Sequence, residues 1–225
     1  IRVYRQLHNN SELCLELNYK AGVLEHMADY QQALSVLHEA LNVSREAELQ
    51  SEEASTLEHI GQLYSRTFQQ PKQALYYHQQ ALAIWLELAN IEKVAQSLSH
   101  IALNYESAQQ FSDALKYYKQ ALLLWKEAEN PRKIGDTLAD IARMYKQLGN
   151  LNAVEDSFKQ TLAVPELKNT YLEVDTALQL ALFYAQKGDS LKVTELIEQI
   201  MPLNDAIPQV SYYKPVLLGR TALVY

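Results

Sequence analysis

The chain has 225 residues, 48% hydrophobic and 21% charged, with a formal net charge of −7. That balance excludes disorder and sets the chain against binding a phosphate backbone. No apolar run reaches the roughly 18 to 20 residues that cross a bilayer, Ile1-Arg2-Val3-Tyr4-Arg5 lacks a signal-peptide pattern, and Cys14 as sole cysteine excludes an intrachain disulfide or a cysteine-rich zinc site.

Six glycines and six prolines interrupt long runs rich in Ala, Leu, Glu, Gln and Lys, a composition that predicts helix throughout. Residues 1–8 read as the tail of a second helix whose hairpin partner is missing, because Tyr4 aligns with Trp85 and Trp125 while Asn9 aligns with Asn90 and Asn130. Five helical hairpins are then predicted over residues 11–48, 50–88, 91–128, 131–165 and 169–202, followed by a further first helix over 209–225. Their first helices share a column of small residues, Ala21, Gly61, Ala102, Ala142, Ala181 and Ala222. Three residues on stand Leu24, Tyr64, Tyr105, Tyr145, Tyr184 and Tyr225. The second helices carry Ala33, Ala74, Ala114, Val154 or Val193, and seven residues later Ala40, Ala81, Ala121, Thr161 or Ile200. A small residue is needed wherever two helices approach closely, and a ring one turn on fills the gap against the neighbour. A period of about 40 residues is the signature of a solenoid, in which each unit packs only on the next. The bulkier residues in the later columns predict wider helix spacing there. Because Ala222-Leu223-Val224-Tyr225 copies Ala102-Leu103-Asn104-Tyr105, the chain is expected to be a segment of a longer protein.

The punctuation agrees with this division. Asp29, Gln110, Asn150 and Asp189 precede second helices as capping residues, and Asn9, Asn90, Asn130 and Asn169 recur between hairpins. Gly149-Asn150 and Gly188-Asp189 are turn signals. Pro71 and Pro131 fit first helical positions, the former after a turn with one additional residue, Thr67-Phe68-Gln69-Gln70. Cys14, at the start of a helical apolar pattern, reads as a packed thiol.

These columns resemble the tetratricopeptide repeat (TPR), whose helix-turn-helix unit has small residues at its eighth, twentieth and twenty-seventh positions and an aromatic at its eleventh. The resemblance covers nearly the whole chain and is closest over residues 54–161. Leu17, Leu57, Leu98 and Leu138 stand where the family has Trp, the family's late Pro is absent, and the unit is about 40 residues long rather than 34. Long units of this kind are similar to those of kinesin light chains, cell-polarity adaptors and bacterial signalling and regulatory proteins. The resemblance implies an all-α fold, a right-handed superhelix (α-solenoid) of antiparallel helix hairpins. It also implies a cytoplasmic, non-enzymatic protein-interaction scaffold without a cofactor, acting as adaptor or regulatory segment of a larger protein. The alternative it leaves open is a sensor of a small ligand or signalling peptide controlling an attached transcription, phosphatase or protease domain.

No phosphate-cradling glycine loop, His-Glu-x-x-His motif or glycine-flanked serine nucleophile is present. In the family the concave surface is lined mainly by first helices, and carrying those positions over selects Asn18, His26, His59, Gln62, Arg66, Gln96, His100, Glu106, Asp136, Asp140, Arg143, Lys146 and Gln147. A groove for a peptide or partner helix and an ordinary solvated helix face both fit this set. Within the candidate groove (Asn18, His59, Gln62, Arg66, His100, Glu106, Arg143 and Lys146), Arg66, Arg143 and Lys146 suit charge contacts and His59, Gln62 and His100 suit hydrogen bonds. The family's Lys-Asn-Arg carboxylate clamp is not matched, since His59, Gln96, His100, Asp136 and Asp140 occupy its positions. His59, His100 and Asp140 form a row that suits titration near neutrality better than a metal site. Trp85 and Trp125 read as packing between repeats, with an exposed aromatic ladder as the alternative. Tyr76-Tyr77 and Tyr117-Tyr118 are each expected to send one ring inward and one outward. Glu dominates residues 12–58, whereas Lys and Arg cluster over 116–146. Opposed patches of this kind also permit self-association.

Overall fold

The computed structural model describes residues 9–201. Readings placed on residues 1–8 and 209–225, Tyr4, Ala222 and Tyr225 among them, lie outside the described residues. Among the described residues there are ten α-helices, one 3-10 turn and no strand. Seven consecutive helices are each 17 residues long: α1 (Asn10–His26), α2 (Tyr30–Glu46), α3 (Gln50–Arg66), α4 (Pro71–Glu87), α5 (Ile91–Ser107), α6 (Phe111–Glu127) and α7 (Pro131–Gln147). Then come α8 (Leu151–Leu162), the 3-10 turn Pro165–Leu167, α9 (Tyr171–Gln186) and α10 (Ser190–Ile200). The chain divides into two units, Ile1–Leu124 and Trp125–Tyr225. In each, antiparallel hairpins stack on one another. No described helix is long and apolar enough to cross a membrane.

One device recurs at the junctions between helices. One residue takes the left-handed conformation: Ala28 (φ 60°), Glu48 (54°), Gln69 (52°), Ala89 (52°), Gln109 (59°), Glu129 (50°), Gly149 (74°), Asn169 (60°) and Gly188 (75°). After α1, the Ala28 N–H donates to the Glu25 carbonyl at 3.0 Å and the Asp29 N–H to the Leu24 carbonyl at 2.9 Å. The pair recurs after α2, α4, α5, α6, α7 and α9. These two bonds satisfy carbonyls that a helix end leaves open. A side chain in this conformation costs roughly 1–2 kcal/mol, so the closed turn has to recover that at the non-glycine positions.

At five junctions the residue after the left-handed one caps the next helix. Asp29, Asn90, Asn130, Asn150 and Asp189 each accept a backbone N–H three residues on, at 3.1 to 3.3 Å. Asn169 departs from the expected set. It holds the left-handed position itself, and Thr170 caps α9 by accepting from the Glu173 N–H at 3.3 Å. The cause is upstream: α8 has 12 residues, and the chain then passes through the 3-10 turn, which displaces the junction. Leu167 and Leu172 rest against α7 at Gly135, where an added Cβ would meet their methyl carbons at 2.5 and 2.7 Å.

Packing follows the columns. Ala21, Gly61, Ala102, Ala33, Ala74, Ala114, Ala40, Ala81 and Ala121 are all buried in the first unit, and Ala142, Ala181, Val154, Val193, Thr161 and Ile200 in the second. Leu17, Leu57, Leu98 and Leu138, which replace the family's Trp, are buried as well, each contributing about 1.5–3 kcal/mol. Cys14 is buried, and loss of solvation, with Glu52 nearby, lifts its pKa to about 11. Trp85 and Trp125 are 2% and 4% exposed, core residues rather than an outer ladder.

The two tyrosine pairs divide differently between core and solvent. Tyr77 stacks on Tyr64 with ring centroids 5.5 Å apart, and Tyr117 stacks on Tyr105 at 5.3 Å. The equivalents are therefore Tyr77 with Tyr117, and His78 with Tyr118. Tyr76 is exposed, whereas Tyr118 is buried and donates its hydroxyl proton to Glu106 Oε2 at 3.1 Å. Buried His78 occupies the space above Gly61, and burial lowers its pKa to about 3, so it packs as a neutral ring.

A Cβ added at Gly61 would stand 2.6 Å from a ring carbon of His78, while one at Gly22, mid-helix in α1, meets nothing within 4 Å. Gly22→Ala should stabilise the chain by about 0.5–1 kcal/mol through helix propensity. Gly61→Ala should destabilise it despite the same propensity gain. Urea unfolding of the two variants measures both signs.

Candidate functional site

First helices of 16 or 17 residues repeat the same face along each unit, and the side chains between adjacent first helices form a pocket in each. In the first unit the pocket has a volume of about 320 Å³ and lies across α1, α3 and α5, with Leu15, Asn18, Glu58, His59, Lys93 and Gln96 in its lining. Much of its polarity is committed to holding hairpins together. Asn18 Nδ2 donates to Thr56 Oγ1 and to the Cys14 carbonyl, both at 2.9 Å, which leaves its Oδ1 as acceptor for His59 Nδ1–H at 3.0 Å. That contact sets the His59 tautomer. Burial first, and Lys93 second, hold the His59 pKa below its ordinary value of 6.5. Both effects favour the neutral ring.

Glu58, beside it, is 3% exposed and accepts the Ser97 hydroxyl proton at 2.5 Å, joining α3 to α5. Burial raises its pKa, against the opposing effects of the Ser97 bond and the Lys93 charge. Column reading overlooked Glu58, although it stands three residues before Gly61, as Asn18 does before Ala21. That alignment was the signal available.

In the second unit a pocket of about 490 Å³ lies across α7, α8 and α9. Arg143, Lys146 and Gln147 come from α7, Phe158 from α8, and Asp175, Thr176, Gln179, Leu182 and Phe183 from α9. Arg143 donates to Asp140 Oδ1 at 2.7 Å and remains exposed, as does Lys146. Asp175 shares a column with Gln96 and Asp136, six residues before the small residue of its helix, yet the sequence reading left it out.

The candidate residues thus fall into three places. Asn18, His59 and Gln62 line the first-unit pocket, and Arg143 and Lys146 line the second-unit pocket. Arg66, His100 and Glu106 line neither. Arg66 is exposed and lowers the Glu25 pKa against the larger, raising effect of that residue's burial. His100 places its ring 4.9 Å from that of His78, and Glu106 is the acceptor for Tyr118. No group of three His, Cys, Asp or Glu side chains among the described residues is arranged to hold a metal ion.

The tetratricopeptide repeat family pattern matches residues 11–87 and 93–166. No curated protein sequence matches the chain. Among solved structures, BtubC (BKLC) from P. vanneervenii is similar at 17% identity and a TM-score of 0.73, over 92% of each chain. A Rap protein complexed with competence and sporulation factor aligns at 19% identity and a TM-score of 0.63, over 84% of this chain and 53% of its own. The signal transduction ATPase PH0952 of Pyrococcus horikoshii, which has a tetratricopeptide repeat sensor, aligns at 17% identity and a TM-score of 0.75, over 99% of this chain and 34% of its own. At these identities the likeness establishes the fold.

A carboxyl whose folded-state pKa is raised binds more protons folded than unfolded, so its contribution favours the fold below the ordinary Glu value of 4.5 and is lost as pH rises through the folded value. Glu58→Gln keeps the acceptor for Ser97 and removes the charge. It should raise stability at pH 7 and give no gain below pH 4.5, as denaturant unfolding at the two pH values will show.

Proposed function

Because the chain belongs to the tetratricopeptide repeat family, we propose that it is a non-enzymatic protein-interaction module that holds a peptide or partner helix against its first-helix faces, as the adaptor or regulatory segment of a larger cytoplasmic protein. The observation that carries the reading is the α7–α9 pocket: exposed Arg143, Lys146, Gln147 and Gln179 surround apolar Phe158, Leu182 and Phe183. A concave site with a few polar groups around an apolar floor suits a peptide side chain and its neighbouring backbone. The helices on which it stands are held by packing, so little has to be ordered on binding.

A second reading has support in the comparisons. PH0952 uses a tetratricopeptide repeat as a sensor, and the Rap protein is complexed with a factor. On this reading the chain senses a small ligand or signalling peptide and controls an attached transcription, phosphatase or protease domain. Ligand-dependent compaction in solution scattering separates it from a passive scaffold.

Arg143→Ala combined with Lys146→Ala removes two charges and one exposed ion pair, which is worth about 0–1 kcal/mol to stability. Peptides selected from a displayed random library on the unaltered chain should bind the double variant about tenfold or more weakly, with nearly the same melting temperature. Unchanged binding would place the site away from α7.

A further inference from the structure

The α7–α9 pocket holds polar groups that the fold does not satisfy. Asp175 is half-buried on α9, and no hydrogen bond or ion pair among the described residues engages its carboxylate. The next residue, Thr176, is 2% exposed, and its Oγ1 has no hydrogen-bond partner among the described residues. Both line the same cavity of about 490 Å³.

Four other acids of this unit have partners. Glu155 accepts from Lys159 Nζ at 2.7 Å and from the Tyr184 hydroxyl at 2.8 Å, and these bonds hold its pKa down at about 2. Asp140 pairs with Arg143, Asp189 with Lys192, and Glu173 accepts the Asn169 N–H at 2.6 Å. Asp175 differs in kind: desolvation, with no compensating cation, raises its pKa. A desolvated carboxylate without a counter-charge is unfavourable, and a hydrogen-bonding cation relieves it.

We propose that this pocket takes a primary ammonium group carried beside an apolar side chain of a peptide, with the half-buried Asp175 as counter-ion. The inference rests on the first-helix face being the binding face. Phe158, Leu182 and Phe183 supply the apolar contact. On the α7 wall the Arg143 charge is offset by Asp140, and exposed Lys146 is screened by salt and suits a carbonyl oxygen of the same peptide. A carboxylate placed against Asp175 would be repelled, so a peptide's free C-terminus is the wrong end. Two sources offer the right chemistry, a peptide N-terminus and a lysine side chain.

The test uses the 15N,13C-labelled full chain with three probes: phenylalaninamide for the α-ammonium, Nα-acetyl-lysine methylamide for the ε-ammonium, and uncharged N-acetylphenylalaninamide. One or both ammonium probes should shift the backbone amides of Thr176 and Gln179 saturably, and whichever binds identifies the source. Asp175→Asn should weaken that binding about tenfold or more, Thr176→Val, which alters only a hydroxyl out of the pocket's reach, should leave it nearly unchanged, and a bound ammonium should lower the Asp175 pKa read from its carboxyl 13C shift. The titration in the unaltered chain keeps the test decisive if either variant folds poorly. Equal binding of N-acetylphenylalaninamide, or an Asp175 pKa unmoved by bound amine, would overturn the ammonium reading while leaving a groove that binds peptides. No shift with any probe would overturn it too, and selection from the displayed library then judges the broader function independently.

Discussion

The left-handed turn that closes seven of the ten described helices is the constraint from which the rest follows. A single residue with positive φ reverses the chain, two short backbone bonds close the helix end, and the next residue opens the following helix. With helices of 17 residues and junctions of three, a side chain returns to an equivalent place after about 40 residues. This lets Ala21, Gly61 and Ala102 form a column although they are far apart in sequence. The extra residue before Pro71 lengthens one turn and leaves α4 at its full 17 residues, so the columns continue past it.

Small residues in those columns bring backbones close, and the space left over is filled by rings whose identity varies. Tyr105 and Tyr117 stack, as do Tyr64 and Tyr77. Where the second unit carries Val154 and Val193 in place of alanine, the filling changes character. Phe183, Tyr184 and Leu180 gather around the two valines, and Leu167 covers Gly135 from the 3-10 turn. A shorter α8 makes that cover possible, because the freed chain folds back on its own hairpin instead of extending the helix.

Polar side chains on the first helices serve two ends. In the first unit Asn18, Thr56, Glu58 and Ser97 bond across neighbouring hairpins, so their chemistry is spent on register. Burying such groups is tolerable only when they are satisfied. In the second unit the equivalent face keeps Arg143 and Lys146 exposed and leaves Asp175 and Thr176 without partners among the described residues. The same helical face is structural mortar in one place and an open, unsatisfied cavity in the other.

Helix, hairpin and the small-residue columns were legible from the sequence, because helix propensity, capping residues and close-approach alanines act within a few residues or at a fixed period. The identity of Trp85 and Trp125 as core was legible for the same reason. Tyr77 and Tyr117 each stand three residues after a column alanine, Ala74 or Ala114, but which ring of an adjacent pair is buried depends on what lies across the helix contact: Tyr118 is buried and Tyr76 exposed. The displaced cap at Thr170 depends on where α8 ends, which is a matter of tertiary cover over Gly135. Whether a polar side chain on the shared face is consumed, as Glu58 and Glu106 are, or left facing a cavity, as Asp175 is, was decided only by the tertiary structure. That outcome turns on which partner lies within about 3 Å across a helix-helix contact, a distance the local sequence does not encode.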